Sequence, residues 1–166
     1  MRRVIFLSLI AIFFSLWTTP IIAQTKASGL PLPRYVSLRA TKVNMRTGPG
    51  VQYPVKWEYR RKLLPIEIIA EYGTWRKVRD WQGAQGWVHQ NMLSGRRTFI
   101  VTEKVRTVRR DPKTKSPGVV SLEPGVIGRV QFCLADSTWC QVEVDGHYGW
   151  LRRVEFWGVY RHETLK

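Results

Sequence analysis

Acidic residues are scarce in this chain: 12 Asp and Glu stand against 27 Lys and Arg over 166 residues, a formal charge of +15. An excess of that size implies an anionic partner. Histidine is limited to three residues, His89, His147 and His162, and cysteine to two, Cys133 and Cys140. These few are scattered, and no His/Cys cluster has metal-ligand spacing. No phosphate-binding glycine loop and no Ser-His-Asp set occurs, and no two of the sparse acids stand out as an acid/base couple. His147 lies seven residues from Cys140, but a cysteine tied in a disulfide is no nucleophile. The chain is therefore expected to be no enzyme, with no catalytic residue, no metal and no cofactor. Helical periodicity is missing too: after the N-terminal segment, no run of ten or more residues carries it.

What is present begins with an export signal. Arg2 and Arg3 form a basic start, residues 4–17 are almost wholly apolar, and Pro20 precedes the small residue Ala23. The apolar run is shorter than the roughly 20 residues a spanning helix needs, so cleavage after Ala23 is expected rather than a membrane anchor. The processed chain loses two arginines and no acid, leaving +13. Its expected location is the periplasm or outside the cell. Nucleic acid is not expected as a partner there. Anionic envelope polymers such as peptidoglycan, or an acidic protein, are.

The rest of the chain repeats itself. Strand-like runs at 35–43, 65–70, 75–80 and 86–89 are separated by turn residues, and a similar series follows. Arg46 and Arg109, Pro49 and Pro112, Pro54 and Pro117, Leu64 and Ile127, Gly83 and Gly146, Gly86 and Gly149, and Trp87 and Trp150 are each 63 apart. Trp75 and Trp139 are 64 apart, so one residue is lost in a turn of the second copy. Each copy has about sixty residues, enough for one small β-barrel. The expected organisation is a signal peptide over 1–23, a flexible leader over 24–33, a first domain over 34–95, a second over 96–160, and a tail over 161–166.

In the second copy, a two-residue turn at Asp136–Ser137 would set Leu134 opposite Trp139 and Cys133 opposite Cys140. Opposed residues on antiparallel strands have Cα atoms about 4.5–5.5 Å apart, within disulfide range. A structural cross-strand bridge, Cys133–Cys140, is expected in an exported chain.

The run VNMRTGPG followed by TWRKV and GWVH resembles bacterial SH3-like (SH3b) domains, and the second copy keeps TWCQV and GWL. YPVKWEYRRKLLPIEI, DWQGAQGWVH and LSGRRT make the whole similar to a periplasmic two-repeat type of Gram-negative bacteria. The resemblance implies an all-β fold of two tandem, partly open five-stranded barrels. It also implies a binding or scaffolding role: an exported module holding cell-wall or other anionic envelope components, or else a protein–protein adaptor.

Trp75, Trp87, Trp139 and Trp150 are expected in the cores. Tyr53, Trp57, Tyr59, Tyr72 and Trp81 lack an identical counterpart in the second copy and are the surface candidates. The glycines of Thr47-Gly48-Pro49-Gly50 permit positive φ and shape a loop that would sit beside a groove. Arg46, Tyr53, Trp57 and Trp81 are the ligand-binding candidates, since aromatic faces stack on sugars or prolines and an arginine fork clamps a carboxylate. The basic runs Arg60-Arg61-Lys62, Arg96-Arg97, Arg109-Arg110 and Arg152-Arg153 are expected to supply the charge.

Overall fold

The computed structural model describes residues 28–166. The expected signal segment and residues 24–27 lie outside the described residues. Fourteen strands follow one another. The first seven are β1 (Arg34–Leu38), β2 (Val43–Arg46), β3 (Val55–Tyr59), β4 (Pro65–Tyr72), β5 (Trp75–Arg79), β6 (Gln85–His89) and β7 (Leu93–Ser94). The second seven are β8 (Thr98–Val101), β9 (Arg106–Arg109), β10 (Gly118–Leu122), β11 (Ile127–Cys133), β12 (Trp139–Val144), β13 (His147–Arg152) and β14 (Phe156–Trp157). They form two seven-stranded sheets of matching order, β3-β2-β6-β5-β4-β1-β7 and β10-β9-β13-β12-β11-β8-β14.

Every strand of the first sheet sends a residue into one cluster, including Leu38, Met45, Tyr59, Ile68, Val78, Val88 and Leu93. A sheet whose strands all meet in one core must curl on itself, and the second does the same around Phe99, Val108, Val142 and Leu151. The fold is thus two tandem SH3-like barrels. Six strands of each are four residues or longer, and β7 and β14 have only two residues.

The curl requires close strand crossings. Arg46 of β2 pairs with Trp87 of β6, and a Cβ on the adjacent Gly86 would lie 2.7 Å from the Arg46 carbonyl oxygen. The repeat-equivalent Gly149 meets the Arg109 carbonyl at 2.5 Å. Only glycine fits at either crossing, which explains the Gly-Trp pair in each copy. Those tryptophans themselves lie on the outer face and are half-buried, because the strand alternates and Val88 and Leu151 take the core positions. The expectation that Trp87 and Trp150 are core residues is corrected accordingly.

The run expected as one strand over 35–43 is broken by a bend at residues 39–42, and β3 was not anticipated at all. Strand pairing also revises one equivalence. Leu38 N–H donates to the Leu64 carbonyl and Val101 N–H to the Val126 carbonyl, each at 2.9 Å, so Leu64 corresponds to Val126 and not to Ile127.

Cys133 and Cys140 face each other on β11 and β12 and form a disulfide. The turn differs from expectation. Ser137 N–H reaches the Leu134 carbonyl, so the turn centres on Ala135–Asp136, and the β11–β12 pairing ends at Cys133–Cys140 without a Leu134–Trp139 pair. In the first barrel, the matching cross-strand position holds Glu71 and Arg76, an ion pair at 3.1 Å with both side chains almost fully covered. One hairpin is thus tied covalently and the other electrostatically.

Neither chain end of the described region is loose. Ser28 donates from N–H (2.9 Å) and Oγ (2.7 Å) to Glu71, so the leader from residue 28 is docked on the first barrel rather than flexible. Burial pushes the Glu71 carboxyl up. The bonds from Ser28 and Arg34 and the charge of Arg76 outweigh this and hold it below its ordinary value. Residues 161–166, set apart as a tail, are part of the second barrel: Leu165 exchanges two 3.0 Å backbone bonds with Cys133. The buried Arg153 guanidinium gathers the carbonyls of Leu134, Ser137, Tyr160 and Glu163.

The two barrels pack through β1 and the first half of β4 of the first and β8 of the second, where successive residues are buried on both faces. Ile100 of β8 belongs to the first core, and Ile127 and Trp157 pack on it. Tyr35 lies between the rings of Trp157 (4.8 Å) and Tyr160 (4.6 Å), with Arg97 over its face at 5.7 Å. Tyr160 donates from its hydroxyl to the buried Glu67 at 2.8 Å. Burial, with Glu67 close by, pushes the Tyr35 hydroxyl up to about 12.

Candidate functional site

A groove of about 370 Å³ opens on the outer face of the first barrel, against β2, β5 and β6. Asn44 and Arg46 of β2, Trp75 of β5 and His89 of β6 line it, since each points away from the core. Lys42, Val51 and Met92 complete the lining, and none of the seven is acidic.

The loop above the groove is built by Arg46. Its Nη1 donates to the carbonyls of Val51 (3.1 Å) and Tyr53 (2.7 Å). In the second barrel, Arg109 Nη1 donates to Ser116, the residue equivalent to Tyr53, at 3.0 Å. Thr47 N–H to Pro54 and Arg110 N–H to Pro117 repeat as well, each at 3.0 Å. An arginine that makes the same bond in both copies holds the loop in shape.

Gly48 and Gly50 do not have positive φ, contrary to expectation. Gly48 serves close approach instead. A Cβ there would lie 2.6 Å or less from three carbons of the Tyr53 ring, which rests on the bare Cα. The loop carries Val51 and Tyr53 into solvent, 75% and 39% exposed.

The four candidates do not come together. Arg46 lines the groove and Tyr53 caps the loop beside it. Trp57 is 53% exposed on β3, which pairs only with β2 among the described residues. A bulge between Val55 and Trp57 puts Trp57 opposite the inward-facing Met45, while Val55 is opposite Arg46. Trp81 is half-buried and packs against the first core. Tyr59, expected on the surface, is 4% exposed, and its hydroxyl donates to Asp80 at 2.9 Å. Burial and the Asp80 charge raise its pKa. Tyr72 is exposed, as anticipated.

Sequence reasoning missed Trp75 and His89 as site residues. Trp139 is 9% exposed in the second barrel, as a core tryptophan should be, but Trp75 is half-buried and faces the groove. It meets His89 edge-on at 5.3 Å. Asn91 N–H donates to His89 Nδ1, so the proton of the neutral ring sits on Nε2. The signal that could have found them is the alternation of β5 and β6, which puts Trp75 and His89 on one face.

The basic runs are half committed. Arg97 donates to both oxygens of Glu163 and to Gly158, Arg109 to its loop, Arg152 to Glu155, and Arg153 to four carbonyls. Arg60, Arg61, Lys62, Arg96 and Arg110 are the exposed members.

The two curled sheets of matching strand order define a tandem repeat of one small barrel. The model of the bacterial SH3 domain matches residues 39–95 and 103–158, and the chain belongs to that family. Its members are generally non-catalytic binding modules, typically extracellular or periplasmic. No curated protein matches the chain. Two solved structures are similar to it at a distance. One is NlpC1 from Trichomonas vaginalis, at 10% identity over 81% of this chain and 49% of that one, with a TM-score of 0.35. The other is NlpC2 from the same organism, at 8% identity over 75% and 48%, also with a TM-score of 0.35. The chain spans about half the length of each. Among the described residues, no helix is long and apolar enough to cross a membrane.

Proposed function

We propose that the protein is an exported, non-catalytic module that holds an anionic envelope polymer, with peptidoglycan as its ligand. The observation that carries this reading is the acid-free groove of the first barrel, where Lys42 and Arg46 stand beside the Trp75 and Met92 side chains. Cations and an aromatic face in one cleft suit a polymer that alternates carboxylates with apolar groups. The +13 charge of the processed chain draws the protein to such a surface.

A second reading is favoured by the exposed side chains of Val51, Tyr53, Val55 and Trp57 next to the groove. An apolar surface of that kind suits contact with a protein, which would make the chain an adaptor for an acidic partner in the periplasm or at the cell surface.

Sedimentation of the protein without residues 1–23 with purified sacculi tests the first reading. Retention above that of an unrelated protein of equal charge is expected across a salt series. Equal release of both proteins would sink it, and cross-linking in cells would then identify the protein partner.

A further inference from the structure

The two barrels differ beside the groove. In the second barrel the strand pair Trp139–Arg152 stands where the first has Trp75–His89. A one-turn 3-10 segment follows each pair, Arg153–Glu155 in the second and Gln90–Met92 in the first. Its third residue is Glu155 in one and Met92 in the other. The Glu155 carboxylate turns back onto Arg152, accepting from Nε (3.1 Å), Nη2 (2.9 Å) and the backbone N–H (2.9 Å). Glu155 is 8% exposed and Trp139 9%. The second barrel thus supplies a carboxylate from its own chain and is closed over it.

The first barrel lacks that carboxylate and is open. Met92, in its place, is 37% exposed and lines the groove. The groups left around it are donors. His89 Nε2 carries the ring proton, as its Nδ1 is occupied by Asn91. Asn44 lines the groove, and its Oδ1 is buried without a partner. Arg46 uses only Nη1 on the loop, and Trp75 offers an indole N–H. Lys42 is shared with Glu58 at 2.8 Å.

We propose that this groove binds a free carboxylate of a wall peptide, seated where Glu155 seats its own in the second barrel. Val51, Trp75 and Met92 would cover the small apolar side chain beside it. The inference rests on the wall-binding reading for the source of the carboxylate and on the groove alone for its chemistry.

The test is a titration of the isotope-labelled protein, followed by NMR. The probes are N-acetyl-alanyl-alanine with a free carboxylate and the same peptide as its C-terminal amide. The free acid should shift the signals of Asn44, Arg46, His89 and the Trp75 indole. The amide should bind about tenfold more weakly or worse, since a charge-assisted hydrogen bond is lost. Met92→Glu places a carboxylate where the second barrel has one, and should weaken the free acid by about tenfold more than the neutral Met92→Gln does. Equal melting temperatures establish that both variants fold. Equal affinity for acid and amide, shifts at other residues, or Met92→Glu binding like Met92→Gln would each overturn the proposal. Groove shifts with the free acid but no retention on sacculi would keep the carboxylate site and refute the wall as its source, leaving a protein C-terminus. Retention on sacculi without groove shifts would refute the carboxylate site alone.

Discussion

Replacing Tyr160 with Phe tests how the two barrels are held together. The substitution removes one hydroxyl and keeps the ring that packs on Tyr35 at 4.6 Å. The hydroxyl donates at 2.8 Å to Glu67 Oε1, and Glu67 is 2% exposed. Its other oxygen is occupied by Arg79, through Nε at 2.8 Å and Nη2 at 2.7 Å. Loss of the tyrosine hydroxyl therefore leaves one carboxylate oxygen buried without a donor. A hydrogen bond to a charged group contributes about 1.5–3 kcal/mol, and a buried orphan acceptor costs about the same, so a loss near 2 kcal/mol is expected. For a chain of this size, that lowers the melting temperature by about 4–8 °C. The assay is thermal unfolding at neutral pH, followed by tryptophan fluorescence. A double-mutant cycle with Glu67→Gln isolates the pair, and a coupling of about 1 kcal/mol or more is expected. A Tyr160→Phe chain that melts within a degree of the natural one would refute the claim that this contact fixes the barrels.

Three further outcomes follow from the same geometry. Gly149→Ala puts a Cβ 2.5 Å from the Arg109 carbonyl oxygen and 2.6 Å from a Val108 methyl, and should cost at least about 2 kcal/mol in a denaturant titration; an unchanged midpoint would contradict the crossing. Glu163 has its carboxyl raised by burial, but Arg97 outweighs this and brings it below its ordinary value of 4.5. A pKa lowered by folding stabilises above the unfolded value, so melting temperatures should be level above pH 4.5 and fall below it, and Glu163→Gln should flatten that fall. Removing both Cys133 and Cys140 in favour of serine opens a short loop and should cost about 2 kcal/mol in the same titration, with Leu165 exchanging its amide proton faster.

The duplication was legible because its markers obey local rules. Gly86 and Gly149 must stay bare at a strand crossing, so their common spacing exposes the repeat. Faces were legible only where strands are regular. Bulges between Val55 and Trp57 and between Ile68 and Ala70 shift the register, and no residue type announces them. Arg46 has two roles that the sequence does not separate, holding the loop and lining the groove. It recurs as Arg109, and the rule that scaffold residues recur applied to it, but an arginine beside a loop also suggests a ligand clamp. The role of the last residues was illegible, because Tyr160, Glu163 and Leu165 act through Glu67, Arg97 and Cys133, which are distant in sequence. The groove was half visible: its charge was apparent, but Trp75 and Met92 acquire meaning only beside Trp139 and Glu155.

The central claim is that the first barrel holds the cell wall through its open groove. Co-sedimentation of the natural chain and the Met92→Glu variant with purified sacculi, beside a basic protein of equal charge, tests it most directly. The account predicts that the natural chain pellets with the sacculi at physiological ionic strength while the variant and the control stay in solution. If all three pellet alike, or none does, the groove does not bind the wall.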